Sequence, residues 1–206
     1  MTDSVSSGKQ KHSGDWRNFL FTYRSYTPIP FLVVMLVFAR PTLTSIVIGV
    51  VMAGLGESIR FWGVSYAGSE TRTTGAVGGT QLVTSGPYSH VRNPLYVGNI
   101  LMYVGVGVMS NALMPYLPLV ALAYFLFQYT GIVSLEEEYL ARTFSNWNEY
   151  RAVVGKFIPR LKAFNENREL KPNYSRALRS ERSSLIAITS IFIVLCAIYI
   201  FRSALR

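Results

Sequence analysis

The apolar positions of this chain fall in long uncharged blocks rather than in short alternating or amphipathic stretches. From Asn93 to Leu135, 43 consecutive residues carry no Asp, Glu, Lys, Arg or His, and 19 more run from Ser183 to Phe201. Between Ser25 and Gly56 the only charge is Arg40. A membrane-crossing helix needs roughly 20 apolar residues, so the pattern predicts an all-α integral membrane protein with about five transmembrane helices. The 43-residue block breaks near Asn111 to Pro118 and supplies two spans, about 94–113 and 115–135. Arg40-Pro41 divides the first block into a short helix from about Pro28 and a second from Thr42 to about Trp62, and the fifth span covers 184–201. The layout is a single domain over 1–206: a polar N-terminus (1–24), a helical hairpin (25–66), a loop (67–92), a second hairpin (93–135), a polar segment (136–182) and a last span (183–206).

Composition sharpens this. Half the residues are hydrophobic and 15% are charged, against about a quarter charged in soluble proteins; disorder and disulfide scaffolds are excluded. His12 and His90 are the only histidines, so no multi-histidine metal site is expected. Cys196 is the sole cysteine and sits in an apolar run. The +9 charge does not point to nucleic acid, because basic residues in a membrane protein set orientation. Of 20 basic residues, 17 precede the first span or lie in the two long loops; only Arg40, Arg202 and Arg206 fall on the other side. That places the N-terminus and both loops in the cytoplasm. The N-terminus is polar to Tyr23 with no apolar signal region, which fits a cell (inner) membrane.

Two segments are not simple spans. The loop from Ala67 to Arg92 holds five Gly, five Thr and three Ser, and its second half has turn chemistry. From Leu135 to about Val154 apolar residues recur at Leu135, Tyr139, Leu140, Phe144, Trp147 and Tyr150, predicting one amphipathic helix. Glu136-Glu137-Glu138 opens it. Glu138 suits a solvated face with Arg142 four residues on. Glu136 shares the apolar stripe with Leu140, Phe144 and Trp147, and an inward carboxylate at the mouth of a membrane bundle is a site candidate; Glu137 is the weaker candidate beside it. At Asn93-Pro94, Asn reads as an N-cap and Pro as a first-turn residue. Arg92 and Tyr96 beside them serve equally well as interfacial anchors or as site residues.

The residues Leu82-Val83-Thr84-Ser85-Gly86-Pro87-Tyr88, then Val91-Arg92-Asn93-Pro94-Leu95-Tyr96-Val97-Gly98, and later Glu136-Glu137-Glu138-Tyr139-Leu140 with Phe144, resemble the signature of the isoprenylcysteine carboxyl methyltransferase family, related to the membrane phospholipid methyltransferases. The match covers about Gln81 to Pro159. What the resemblance implies is S-adenosylmethionine as methyl donor, S-adenosylhomocysteine as product, and a cytoplasmic pocket built from the loop before span three and the helix after span four. The cofactor contacts it implies are Gln81, Leu82, Val83, Tyr88, Asn93, Pro94, Leu95, Tyr96 and Glu136, with Glu136 on the methionine ammonium. Arg92, Asn93, Tyr96 and Glu137 are the implied catalytic set. The acceptor is a lipid or other membrane-accessible small molecule, methylated on carboxyl oxygen or amine nitrogen. The chain departs from the family pattern at Asn93, which replaces a His, and at Ile132, where the prenylcysteine enzymes have an Arg that contacts substrate. The spacing from Phe144 to Trp147 is also one residue short.

Other features carry less. Glu57 and Arg60, three apart, read as an interfacial ion pair. Gly49 and Ala53 form a small-xxx-small helix-packing pair. Gly105-Val106-Gly107 lies mid-span with no preceding strand and is not a dinucleotide loop. The basic run from Lys156 to Arg182 touches anionic lipid or sets topology. Two rival functions are a non-catalytic scaffold or carrier on the same fold, and a nicotinamide-dependent reductase whose phosphate loop would be Gly75-Ala76-Val77-Gly78-Gly79.

Overall fold

The computed structural model describes residues 15–68, 81–164 and 170–205. The glycine-rich stretch 75–79 and His12 lie outside them. Among the described residues the chain is helical, apart from turns and one isolated parallel bridge between Val91 and Gly155. Its helices are α1 (Trp16–Tyr23), α2 (Pro28–Val37), α3 (Leu43–Ala67), α4 (Pro94–Ser110), α5 (Tyr116–Thr143), α6 (Trp147–Val153) and α7 (Tyr174–Ala204), with a 3-10 turn over Gly86–Ser89 before α4.

By length and composition α3, α5 and α7 can each cross a membrane, and a fourth crossing is available if α1 and α2, bent by 55° at the break between them, act as one. Five spans were expected; the remaining candidate, α4, has 17 residues, about 26 Å at 1.5 Å per residue. Three to four such helices make the chain an integral membrane protein. The helix boundaries follow local chemistry. Thr42 accepts from the Ser45 amide at 3.1 Å while Ser45 accepts from the Thr42 amide at 2.9 Å, a reciprocal cap that starts α3. Pro94 opens α4, and left-handed Asn111 (φ 51°) ends it. The Asn111 side chain donates to the Arg40 carbonyl at 3.0 Å, and the Arg40 amide to the Ser110 carbonyl at 2.9 Å, joining the α2–α3 and α4–α5 turns.

Two expected features change. The stretch 1–24 was expected as a polar N-terminus with no helix assigned to it, but α1 buries Leu20 and Phe21 and stacks Trp16 on Phe127 of α5. Its polar residues occupy the other face: Arg17 pairs with Glu138, which the sequence had paired with Arg142. The single amphipathic helix expected over 135–154 is two helices. Extended backbone at Phe144 ends α5, and Ser145 and Asn146, which favour turns over helix interiors, separate it from α6.

The bundle is held most extensively by α3 against α4, and small residues set that seam. A Cβ added at Gly49 would lie 2.5 Å from the Gly105 carbonyl oxygen, one at Gly56 2.6 Å from that of Gly98, and one at Gly105 2.7 Å from the Ala53 nitrogen. Gly49 and Ala53 therefore do what their spacing suggested, and Gly105 is their partner across the seam. Gly105→Leu should cost about 1–3 kcal/mol or more through overpacking, seen as a lower melting temperature in detergent. Gly54→Leu, whose Cβ meets nothing within 4 Å, should not lower it.

Candidate functional site

The loop before α4 is shaped by one glycine. Gly86 has φ +60°, and a Cβ there would lie 2.5 Å from the Tyr66 ring, so no other residue fits without strain. From this turn the chain is zipped to the segment after α6. The Arg160 amide donates to the His90 carbonyl at 2.9 Å, the Phe164 amide to the Ser89 carbonyl at 3.0 Å, and the Arg92 amide to the Gly155 carbonyl at 2.9 Å. Tyr150 of α6 donates its hydroxyl to the Tyr88 carbonyl at 2.8 Å. Burial pushes the hydroxyls of Tyr88 and Tyr150 well above the usual tyrosine range, so both stay protonated. Leu82, Leu140, Phe144 and Phe164 pack around Trp147, Tyr150 and Val154. The stripe read along one helix is thus gathered by two helices and a turn.

These elements enclose a cavity of about 680 Å³, within the roughly 300–1,000 Å³ of small-molecule sites. Gln81, Leu82, Val83 and Tyr88 border it from the loop, with Gln81 at the exposed rim. Arg92, Asn93, Pro94, Leu95 and Tyr96 border it from the start of α4, and Glu136 and Glu137 from α5. Every residue singled out in the sequence for this site faces the same space.

Their partners differ in kind. Tyr96 donates its hydroxyl to Glu136 Oε1 at 2.7 Å, and its ring lies 4.6 Å from that of Tyr129. Arg92 and Glu137 meet at 3.2 Å, with Lys156 3.5 Å from the other carboxylate oxygen. The Arg92 guanidinium also lies 5.7 Å over the Trp147 ring. Asn93 is not the side-chain cap the sequence suggested: its amide donates to the Lys156 carbonyl at 3.1 Å. Among the described residues the buried Arg92 Nε and the Trp147 indole nitrogen have no hydrogen-bond partner, and Glu137 Oε1 has only its ion pair with Arg92. Gln128, the long polar residue nearest Ile132, is fully buried and bonded to Thr27 at 2.9 Å, away from the cavity, and Ile132 belongs to the core.

The cavity also reaches residues the sequence did not mark, Arg24, Asn99, Tyr103, Tyr129, Glu181 and Ser184, and Arg60, which had been read as half of an interfacial ion pair with Glu57. Asn99 carried a signal, as one of the few amides inside an uncharged block. Glu181 was hidden in a basic run, where it read as one acid among many bases.

A model of the phospholipid methyltransferase family matches residues 44–147, just over half of the chain. The chain is 35% identical over 122 residues to the nickel-cobalt-cadmium resistance protein NccN of Alcaligenes xylosoxydans xylosoxydans, covering 59% of this chain and 52% of that protein. It is 36% identical over 122 residues to the cobalt-zinc-cadmium resistance protein CzcN of Cupriavidus metallidurans, covering 59% and 51%. It thus spans about half the length of the curated relatives it matches. No solved structure matches it. The family match runs from the first turn of α3 to Trp147 and takes in the loop, α4 and both acidic residues that border the cavity. The chain belongs to the phospholipid methyltransferase family.

Proposed function

We propose that the cavity binds S-adenosylmethionine and that the protein transfers its methyl group to a lipid or another membrane-accessible small molecule. The observation that carries this is the convergence of Gln81–Val83, Tyr88, Arg92–Tyr96 and Glu136–Glu137, from three separate elements, around one cavity. The polar groups here suit a zwitterion. Arg92 Nε and the Trp147 indole nitrogen are donors for a carboxylate, while the Glu136 carboxylate, which accepts from Tyr96, keeps capacity for an ammonium. In this reading Glu136, oriented by Tyr96, holds the ammonium, and Leu82, Val83, Pro94 and Leu95 form an apolar wall that excludes water. Asn93, tied to Lys156, fixes the loop edge over the mouth.

The methyl of a sulfonium is already activated, so the chain's part is placement more than acid–base work. Holding two reactants in line can supply on the order of 7–11 kcal/mol in favourable cases. The distribution of Lys and Arg supports a cytoplasmic mouth in the inner membrane. Among the described residues no group of three His, Cys, Asp or Glu side chains is placed to hold a metal ion.

Calorimetric titration of the detergent-purified protein with S-adenosylhomocysteine tests the reading. Micromolar binding is expected, and folded protein that binds none ends it. Binding without transfer to any lipid acceptor would favour a carrier on the same scaffold.

A further inference from the structure

The segment after α6 combines apolar exposure with positive charge. Leu161 is 100% exposed and Ile158 80%, the most exposed large apolar side chains among the described residues. Neither lies on a membrane-crossing helix, where lipid tails cover such groups. Both sit in residues 155–162, which hold Lys156, Arg160 and Lys162 and no Asp or Glu. Phe157, the neighbour of Ile158, packs against the bundle core instead, so the same few residues turn one apolar side chain inward and two outward.

The backbone that presents them is fixed at both ends. Gly155 bridges to Val91, and its carbonyl accepts from the Arg92 amide at 2.9 Å. The Arg160 amide donates to the His90 carbonyl at 2.9 Å, and His90 Nδ1 lies 2.9 Å from the Arg160 carbonyl. Between these ties the turn is tight, since a Cβ on Gly155 would come within 2.6 Å of the Ile158 carbonyl oxygen. The ties also set the depth. Residues 91–93 lead straight into α4, whose 17 residues span about 26 Å, close to the roughly 30 Å of a hydrocarbon core. Residues 155–162 are therefore level with one end of α4, where lipid headgroups begin.

We propose that residues 155–162 form a docking surface for anionic phospholipid headgroups of the surrounding bilayer. Ile158 and Leu161 enter the boundary between headgroups and acyl chains, and the partly exposed Arg160 and the exposed Lys162 meet lipid phosphates. Apolar burial and attraction to anionic lipid reinforce one another at such a surface. Each basic residue near it contributes about fivefold in affinity, so Arg160 and Lys162 together contribute roughly 25-fold. Charge complementarity selects the occupant. A second copy of this chain docking through the same patch would set like charges against each other, whereas the anionic bilayer surface is complementary and already at this depth. The surface is continuous with the rim of the cavity through Lys156, which lies 3.5 Å from Glu137 and whose carbonyl accepts from Asn93 at 3.1 Å. It does not depend on what the cavity binds.

The test attaches a polarity-sensitive nitrobenzoxadiazole label at Leu161→Cys in the full chain carrying Cys196→Ala, reconstituted in phosphatidylcholine nanodiscs with or without phosphatidylglycerol. With phosphatidylglycerol the emission is expected to shift to the blue and at least double. The change should vanish near 1 M salt, where the Debye length is about 3 Å. It should vanish also when Arg160→Gln and Lys162→Gln are added, which leave the backbone bonds of Arg160 in place. The same label at Asn148→Cys, an exposed position on α6, should not respond. Equal emission in the two lipids overturns the proposal, as does an equal response at Asn148 or a response that survives the two charge substitutions. A matching shift on adding glycerol phosphate to phosphatidylcholine discs overturns it in favour of a soluble-anion site. A shift in phosphatidylcholine discs that hold two chains, absent from discs that hold one, overturns it in favour of a second copy. If labelled Leu161→Cys does not reach a native melting temperature, Ile158→Cys must show the same dependence on lipid charge.

Discussion

Glu136→Ala is expected to weaken S-adenosylhomocysteine binding on the order of 30-fold or more, with little change in melting temperature. Glu136 borders the cavity and, among the described residues, accepts from the Tyr96 hydroxyl at 2.7 Å, which leaves carboxylate capacity for a ligand ammonium. Removing one partner of a desolvated charge pair costs about 2–5 kcal/mol, and 2 kcal/mol is about 30-fold in affinity. Tyr96→Phe removes only the bond that orients the carboxylate. At about 1 kcal/mol that is roughly fivefold, so the order of effect separates the residue that holds the ligand from the one that aims it. A Glu136→Ala protein that binds as tightly as wild type would remove this residue from the site.

Glu137→Ala is expected to act on the fold instead. It strands the Arg92 guanidinium, whose side chain is only 9% exposed, with a Trp147 face and a long 3.4 Å contact to the Arg151 carbonyl. Breaking a buried ion pair from one side costs about 3–5 kcal/mol, a fall in melting temperature on the order of 10 °C for a chain of this size. Arg92 also anchors its strand of backbone to Gly155, so the loop over the mouth should loosen and proteolysis between α6 and α7 should speed up. A melting temperature within a degree or two of wild type would show that Lys156 alone organises this corner.

How much was legible in the sequence depends on what each feature rests on. The α4–α5 hairpin and the start of α3 were readable because charge-free length, proline and capping residues act locally. The residues around the cavity were readable because Gly86, Pro94 and the acidic pair sit in a dense motif. Glu136 does border the cavity, but the reason read for it was only partly sound. Its stripe was counted along one helix, yet Phe144 and Trp147 reach the same cluster across a break. Helix α1 was missed because an eight-residue amphipathic helix is short and its apolar face is covered by residues distant in sequence, on α5 among others. The pairings of Arg17 with Glu138 and Arg60 with Glu181 join residues 121 apart in each case. No local spacing rule reaches that far, so nearer charges were chosen instead.

That last separation has a temporal side. During synthesis Arg60 leaves the ribosome 121 residues before Glu181, a wait of roughly 6–24 s at 5–20 residues per second. Over that interval its acidic neighbour is Glu57, one turn away on the same helix and 3.6 Å distant in the finished fold. When α7 arrives, Glu181 takes the guanidinium and Ser184 caps Glu57. Glu57 thus gives Arg60 a counter-charge on its own helix before α7 exists.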